Sequence, residues 1–327
     1  MRYSWLSSSV KGTTEIDRMK VIIARTLVIV VMVAADAATQ QLTDREYMPP
    51  PIKPSFARGE GPLLLVDEGH NNAMLTGDRL TAFVKLVTAD GYVVKATKET
   101  LTNTALLPAR ILMVSNAGPG SGRSSAFSDA EIATIERWVR DGGALLLVAD
   151  HMPRATAVEK LAAAFGVRFS NAFTLERHIL DLDNDAALEA TYDHTTTFRR
   201  ADGTLREHAI TDGGNHEERI DHVTTFTGQG FPADTLDPLL VFPAGFISIF
   251  PKEPWDFRPD DRRIDAKGLI QGGVKRHGSG RAAFFGEAAM FTAQTWGAKR
   301  TPMGLNHPRA NQNAQFVLNL LRWLSAQ

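Results

Sequence analysis

Residues 127–148 read Phe-Ser-Asp-Ala-Glu-Ile-Ala-Thr-Ile-Glu-Arg-Trp-Val-Arg-Asp-Gly-Gly-Ala-Leu-Leu-Leu-Val. Ser128 and Glu131 make a capping-box pattern: the serine oxygen takes the third helical N–H and the glutamate reaches back. The helix they open carries Ile132, Ile135, Trp138 and Val139 on one face, and Asp141-Gly142-Gly143 ends it. Ala144 to Val148 then lacks any polar residue, the pattern of a strand covered on both faces of a parallel sheet. A capped amphipathic helix feeding a continuous apolar strand is the building unit of an α/β domain.

Outward from this stretch the unit repeats. Leu63-Leu64-Leu65-Val66, Tyr92-Val93-Val94 and Ile111-Leu112-Met113-Val114 have strand character. Leu80, Phe83, Val84 and Val87 predict a helix over Thr76 to Ala89, and Val158, Leu161, Ala162 and Phe165 another over Ala155 to Phe165. The alternation predicts an α/β fold: a doubly wound, flavodoxin-like, mostly parallel sheet with helices on both faces. Between about residues 170 and 238 the rhythm fails, and a polar, β-rich insertion is expected there, with Val223 to Phe226 one of its strands. Leu239 to Phe242 and Arg281 to Phe285 return to sheet-like runs, and a helix from Asn311 to Ala326 closes the chain.

The chain has 327 residues, 36 Lys and Arg against 37 Asp and Glu, and no cysteine. Near-neutral charge argues against a nucleic-acid partner, since phosphate binding needs clustered cations. Without cysteine there are no disulfides, thiolate metal ligands, iron–sulfur clusters or thiol nucleophile. Met19-Lys20 and Arg25 precede the uncharged run Leu27 to Ala35, and Ala35-Asp36-Ala37 is a cleavage pattern. Residues 1–37 therefore read as a cleavable export signal whose translation starts at Met19, followed by a Pro-rich linker over 38–60 and the domain over 61–327. A periplasmic or extracellular location is expected.

The strands Leu63–Val66, Ile111–Val114 and Ala144–Val148, with the helix ending Trp138-Val139-Arg140-Asp141-Gly142-Gly143, resemble the class I glutamine amidotransferase-like superfamily. Within it, the likeness points to uncharacterised domains related to gliding-motility ABC-transporter accessory proteins. His208-Ala209-Ile210-Thr211-Asp212-Gly213 is similar to their H-P-I-T-x-G turn, and Asn311 to Leu324 to their closing helix. The resemblance implies a catalytic cysteine on an elbow after a strand. Here that elbow reads Asp150-His151-Met152-Pro153, and the later strand ends in Gly286-Glu287. The family's thiol chemistry is therefore not carried over.

Open α/β sheets bind ligands beyond the carboxyl ends of their strands, and polar clusters fall at those ends. Asp150, His151, Glu287 and His307 are candidate acid–base residues. Asp67, Glu68, His70, Asn71, Asn116, Asn306 and Asn311 are candidate ligand contacts. Asp67, His70 and Asp150 are a candidate set for a divalent metal. His216 and His222 are six apart and do not share a helix face as a zinc H-E-x-x-H pair does. No Gly-rich segment matches a nucleotide or flavin loop, and Gly118 to Gly122 is expected to be a lip over the rim. Two classes of function stay open: a non-cysteine hydrolase of a small polar or carbohydrate-like ligand, and a non-catalytic binding or adaptor module for a cell-envelope protein.

Overall fold

The computed structural model describes residues 41–119, 124–180 and 195–326. The expected export signal, the tip of the Gly118–Gly122 lip and part of the insertion lie outside them.

The central sheet contains β2 (Leu63–Asp67), β3 (Val93–Thr97), β4 (Ile111–Ser115), β5 (Ala144–Val148), β9 (Asp237–Val241), β12 (Ile270–His277) and β13 (Gly280–Phe285). Their spatial order is β3-β2-β4-β5-β13-β12-β9. β2, β3, β4, β5 and β13 pair in parallel, whereas β12 runs antiparallel to both neighbours. Taken in chain order, the parallel strands sit second–first–third–fourth–fifth, the flavodoxin-like arrangement, with its switch point between β2 and β4.

Successive strand residues face opposite layers, as the period of two demands. Leu64, Val66, Ile111, Met113 and Leu146 pack with α1 (Thr81–Ala89) and the closing helix α4 (Asn313–Ser325). Leu65, Leu112, Val114, Leu145 and Leu147 pack with α2 (Asp129–Arg140) and α3 (Arg154–Ala164). The capping box at Ser128 and Glu131 is formed. α1 starts at Thr81, later than the Thr76 that the spacing of its apolar residues suggests. Glu68 Oε1 accepts from both the N–H and the hydroxyl of Thr76 at 2.7 Å, holding that segment in a turn.

Smaller sheets cover the strand ends. β6 (Phe173–Glu176), β10 (Phe246–Phe250) and β11 (Arg262–Asp265) form one, and β7 (Thr196–Arg199) pairs with β8 (His222–Thr225). The irregular stretch thus draws strands from beyond residue 238, while β9 between them joins the main sheet. β1 (Leu42–Thr43), β14 (Ala293–Trp296) and β15 (Thr301–Gly304) make another. Residues 44–60 carry no regular element but are docked: Lys85 Nζ donates to the carbonyls of Arg45 and Tyr47, and Phe56 meets Tyr92 edge-on. No helix among the described residues is long and apolar enough to cross a membrane.

Candidate functional site

The sheet brings Asn116, Asp150 and Glu287 to the ends of β4, β5 and β13, around one cavity of about 170 Å³. Its walls include His151, Met74, Phe226 and Trp255. At roughly 30 Å³ per water molecule, that volume suits a small ligand.

Glu287 is 1% exposed. One carboxylate oxygen accepts from the N–H of Ala289 at 2.6 Å, the other from that of Met290 at 2.9 Å. Burial and the neighbouring Asp150 charge nevertheless push its pKa well above the usual range, outweighing those two bonds. Its burial and the Asp150 charge beside it thus hold Glu287 toward its protonated form.

Asp150 is fixed through its backbone. Its N–H donates to Asn116 Oδ1 at 2.9 Å, and Gln229 Nε2 donates to its carbonyl at 3.0 Å and to that of Ala149 at 2.8 Å. Asp150 Oδ1 accepts from the N–H of His151. Asn116 holds a left-handed backbone, φ +49°, a conformation asparagine tolerates better than most residues. Gly228 lets the Gln229 segment approach: a Cβ there would lie 2.2 Å from the carbonyl oxygen of Gly286.

His151 is stacked on Phe173 at 4.0 Å and meets Trp255 edge-on at 4.6 Å. Its Nδ1 lies 2.8 Å from the carbonyl oxygen of Met152, so Nδ1 carries the proton and Nε2 is left with a lone pair, 3.9 Å from Asp150 Oδ1. Burial lowers its pKa against the opposing pull of Asp150. The ring is therefore a neutral base at pH 7. Trp255 has φ +68°, an outlying conformation for so large a side chain, and such strain clusters at functional sites.

The candidate ligand residues after β2 form a separate closed cluster. Asp67 is fully buried; one oxygen accepts from the Gly69 N–H at 3.1 Å and faces His70 Nδ1 at 2.8 Å, and the other accepts from Asn72 at 3.1 Å. His70 Nε2 faces Glu131 Oε1 at 3.1 Å. Burial alone would lower the His70 pKa, but the two carboxylates raise it. This ring is a clamp between the β2 loop and the start of α2. Glu68 is spent on Thr76, and Asn71 is exposed, donating to the carbonyl of Pro119.

The expected metal set does not assemble. Asp67 and His70 bind each other while Asp150 lines the cavity, and among the described residues no three His, Asp or Glu side chains are placed to hold an ion. His307, Asn306 and Asn311 are also absent from the cavity wall. His307 Nδ1 accepts from the N–H of Arg309, capping the turn Pro308–Ala310, and its ring packs on Phe226. Asn306 donates to Asp44 Oδ2 and to the carbonyl of Gln294; Asn311 pairs with His222 at 2.7 Å. A polar cluster near a strand end is as well suited to tying loops together as to binding.

Sequence reasoning missed Arg79, Arg154 and Gln294, which line the cavity, and Gln229, which holds Asp150. Arg154 did leave a signal. It opens α3, where the helix dipole disfavours a cation. Gln294 and Trp255 left none, because only tertiary contacts bring them to the strand ends.

No family model and no curated protein sequence matches the chain. Solved structures do. The N-terminal domain of mmIFT52 superposes with a TM-score of 0.54 at 12% identity, over 81% of this chain and 98% of that domain. A cytoplasmic protein from Salmonella typhimurium gives 0.44 at 10% identity, over 81% of this chain and all (100%) of its own. A ThuA-like protein from Bacteroides uniformis gives 0.40 at 10% identity, over 80% and 90%. At such identities the likeness is one of fold, and the fold is α/β and flavodoxin-like.

Proposed function

We propose that the cavity is the active site of a hydrolase acting on a small polar or carbohydrate-like ligand without a covalent thiol intermediate. One observation carries this reading: Glu287, buried beside Asp150 and held toward its protonated form, lines the same cavity as the imidazole of His151. Together they supply an acid and a base whose environments drive them apart, as acid–base catalysis requires. Nε2 of His151 takes a proton from water as the water oxygen bonds to the electrophilic carbon. Asp150, 3.9 Å away, stabilises the imidazolium that forms. Glu287 gives its proton to the leaving oxygen or nitrogen as that bond breaks. The export pattern before residue 38 and the resemblance to gliding-motility accessory domains support work at the cell envelope, beside a protein partner there.

The test is turnover by the parent and by Glu287→Ala and His151→Ala against small glycosides, esters and amides. Loss of about 10²–10⁴-fold in each variant, with binding of the same compound retained, supports the reading. No turnover by the parent on any of the three classes overturns it in favour of a binding module.

A further inference from the structure

We infer that this cavity holds a small hydroxycarboxylate unit, the part of the substrate that hydrolysis releases, its carboxylate held by Arg79 and Arg154 and its hydroxyl donating to Gln294. The inference rests on the proposed site and adds the ligand's chemistry.

Arg154 and Arg79 both line the cavity, and neither has a carboxylate within ion-pair distance among the described residues. Arg79 Nη1 donates at 3.0 Å to a neutral acceptor, Gln41 Oε1. The hydrogen bond formed by the Arg154 side chain is a long one, 3.5 Å to the carbonyl of Asn116. Its pKa is lowered by burial, with Asp150 pulling the other way from a distance. Holding a partly buried guanidinium without an anionic partner is costly, and an anion in the cavity removes that cost.

Two guanidinium groups on one cavity wall without a carboxylate in ion-pair distance among the described residues call for an anionic group on the ligand. Gln294 supplies the second, independent constraint. It is 1% exposed, its Nε2 donates to Thr292 Oγ1 at 2.7 Å, and its Oε1 is buried with no hydrogen-bond partner. A buried acceptor at a cavity wall asks for a donor from the ligand. Met74 and Met303 complete an apolar side, and the volume of about 170 Å³ limits the ligand to a short chain or one small ring.

The experiment is calorimetric titration of the full chain with lactate, lactamide and propionate. Lactamide keeps the hydroxyl and loses the charge; propionate keeps the charge and loses the hydroxyl. Lactate is expected to bind at millimolar concentrations or below, with each analogue weaker by about tenfold. Arg154→Met should remove most lactate binding, and Gln294→Leu should abolish the preference for lactate over propionate. If Arg154→Met does not fold, Arg79→Met and Arg154→Lys read the same loss. Equal binding of lactate and lactamide, no lactate binding, or unchanged affinity in the arginine variants overturns the inference. Lactate binding that obeys these rules in a protein without turnover sinks the hydrolase reading alone. Turnover confined to uncharged substrates sinks this one alone.

Discussion

Two Asp–His–Glu groups border the same sheet and are opposites: one ties a strand end to the start of α2, the other gathers at the strand ends alone. Around His70 every carboxylate and both ring nitrogens are engaged, so the imidazole is held toward its charged form. Around His151 the ring is flanked by Phe173 and Trp255, one nitrogen is spent on a carbonyl, and Glu287 is held toward its protonated form. The residue types are the same; the partners differ. A saturated network holds the protein together and has no capacity left for a ligand. An unsaturated one leaves an imidazole nitrogen free and a carboxyl held toward its protonated form around a cavity whose wall residue Gln294 has an unpartnered amide oxygen.

Breaking the closed group should cost the most. Asp67→Ala strips a buried acceptor from Gly69, His70 and Asn72, and should lower stability by about 3–5 kcal/mol in urea denaturation. Asp150→Asn should stay within about 1 kcal/mol of the parent, because Oδ1 still accepts from the His151 N–H. A loss in Asp150→Asn as large as that in Asp67→Ala would erase the distinction. Gly228→Ala, which wedges the Gln229 segment away from the elbow, should cost about 2–3 kcal/mol and reduce ligand binding as well. Ser128→Ala should cost about 1 kcal/mol, since it removes the helix cap and one anchor of Glu131. It should leave the cavity's ligand affinity unchanged.

The smallest effect is one of sign, read from melting temperature against pH. His70 is raised, so its contribution is complete below the ordinary histidine pKa and is lost as pH rises through the folded value. His151 is lowered, so its contribution is complete above the ordinary pKa and is lost as pH falls through the folded value. His70→Gln should therefore flatten the alkaline side of the profile and His151→Gln the acid side. The same side flattening in both variants would contradict the assignment of charge.

The architecture could be read from local pattern because apolar runs and capping signals are local. Ala144 to Val148 has no polar residue to blur its ends, and β5 has those same bounds. The carboxyl ends of the strands, and so Asp150 and Glu287, followed directly from such runs. What local pattern could not separate was a loop-tying residue from a ligand-facing one. Asp67 and Asp150 each follow an apolar strand, and only the third dimension shows that Asn72 and His70 occupy one while the other borders a cavity. His307 misled for the same reason: a histidine before proline caps a turn as well as it serves a reaction. Arg79 comes from a loop and Gln294 from the middle strand of a small sheet, positions whose place depends on how separate parts of the chain dock.

The mounting of His151 has a consequence for how such a site changes over time. The carboxylates ride on the central sheet, while Phe173 and Trp255, which grip the imidazole, belong to the small sheet and its loops. Replacing or reshaping that small sheet would re-aim the base and alter the cavity wall without disturbing the strands that carry the acids. On the proposed reading, the acids and the grip on the base are thus carried by separable parts of the chain, and the fold can exchange one while keeping the other.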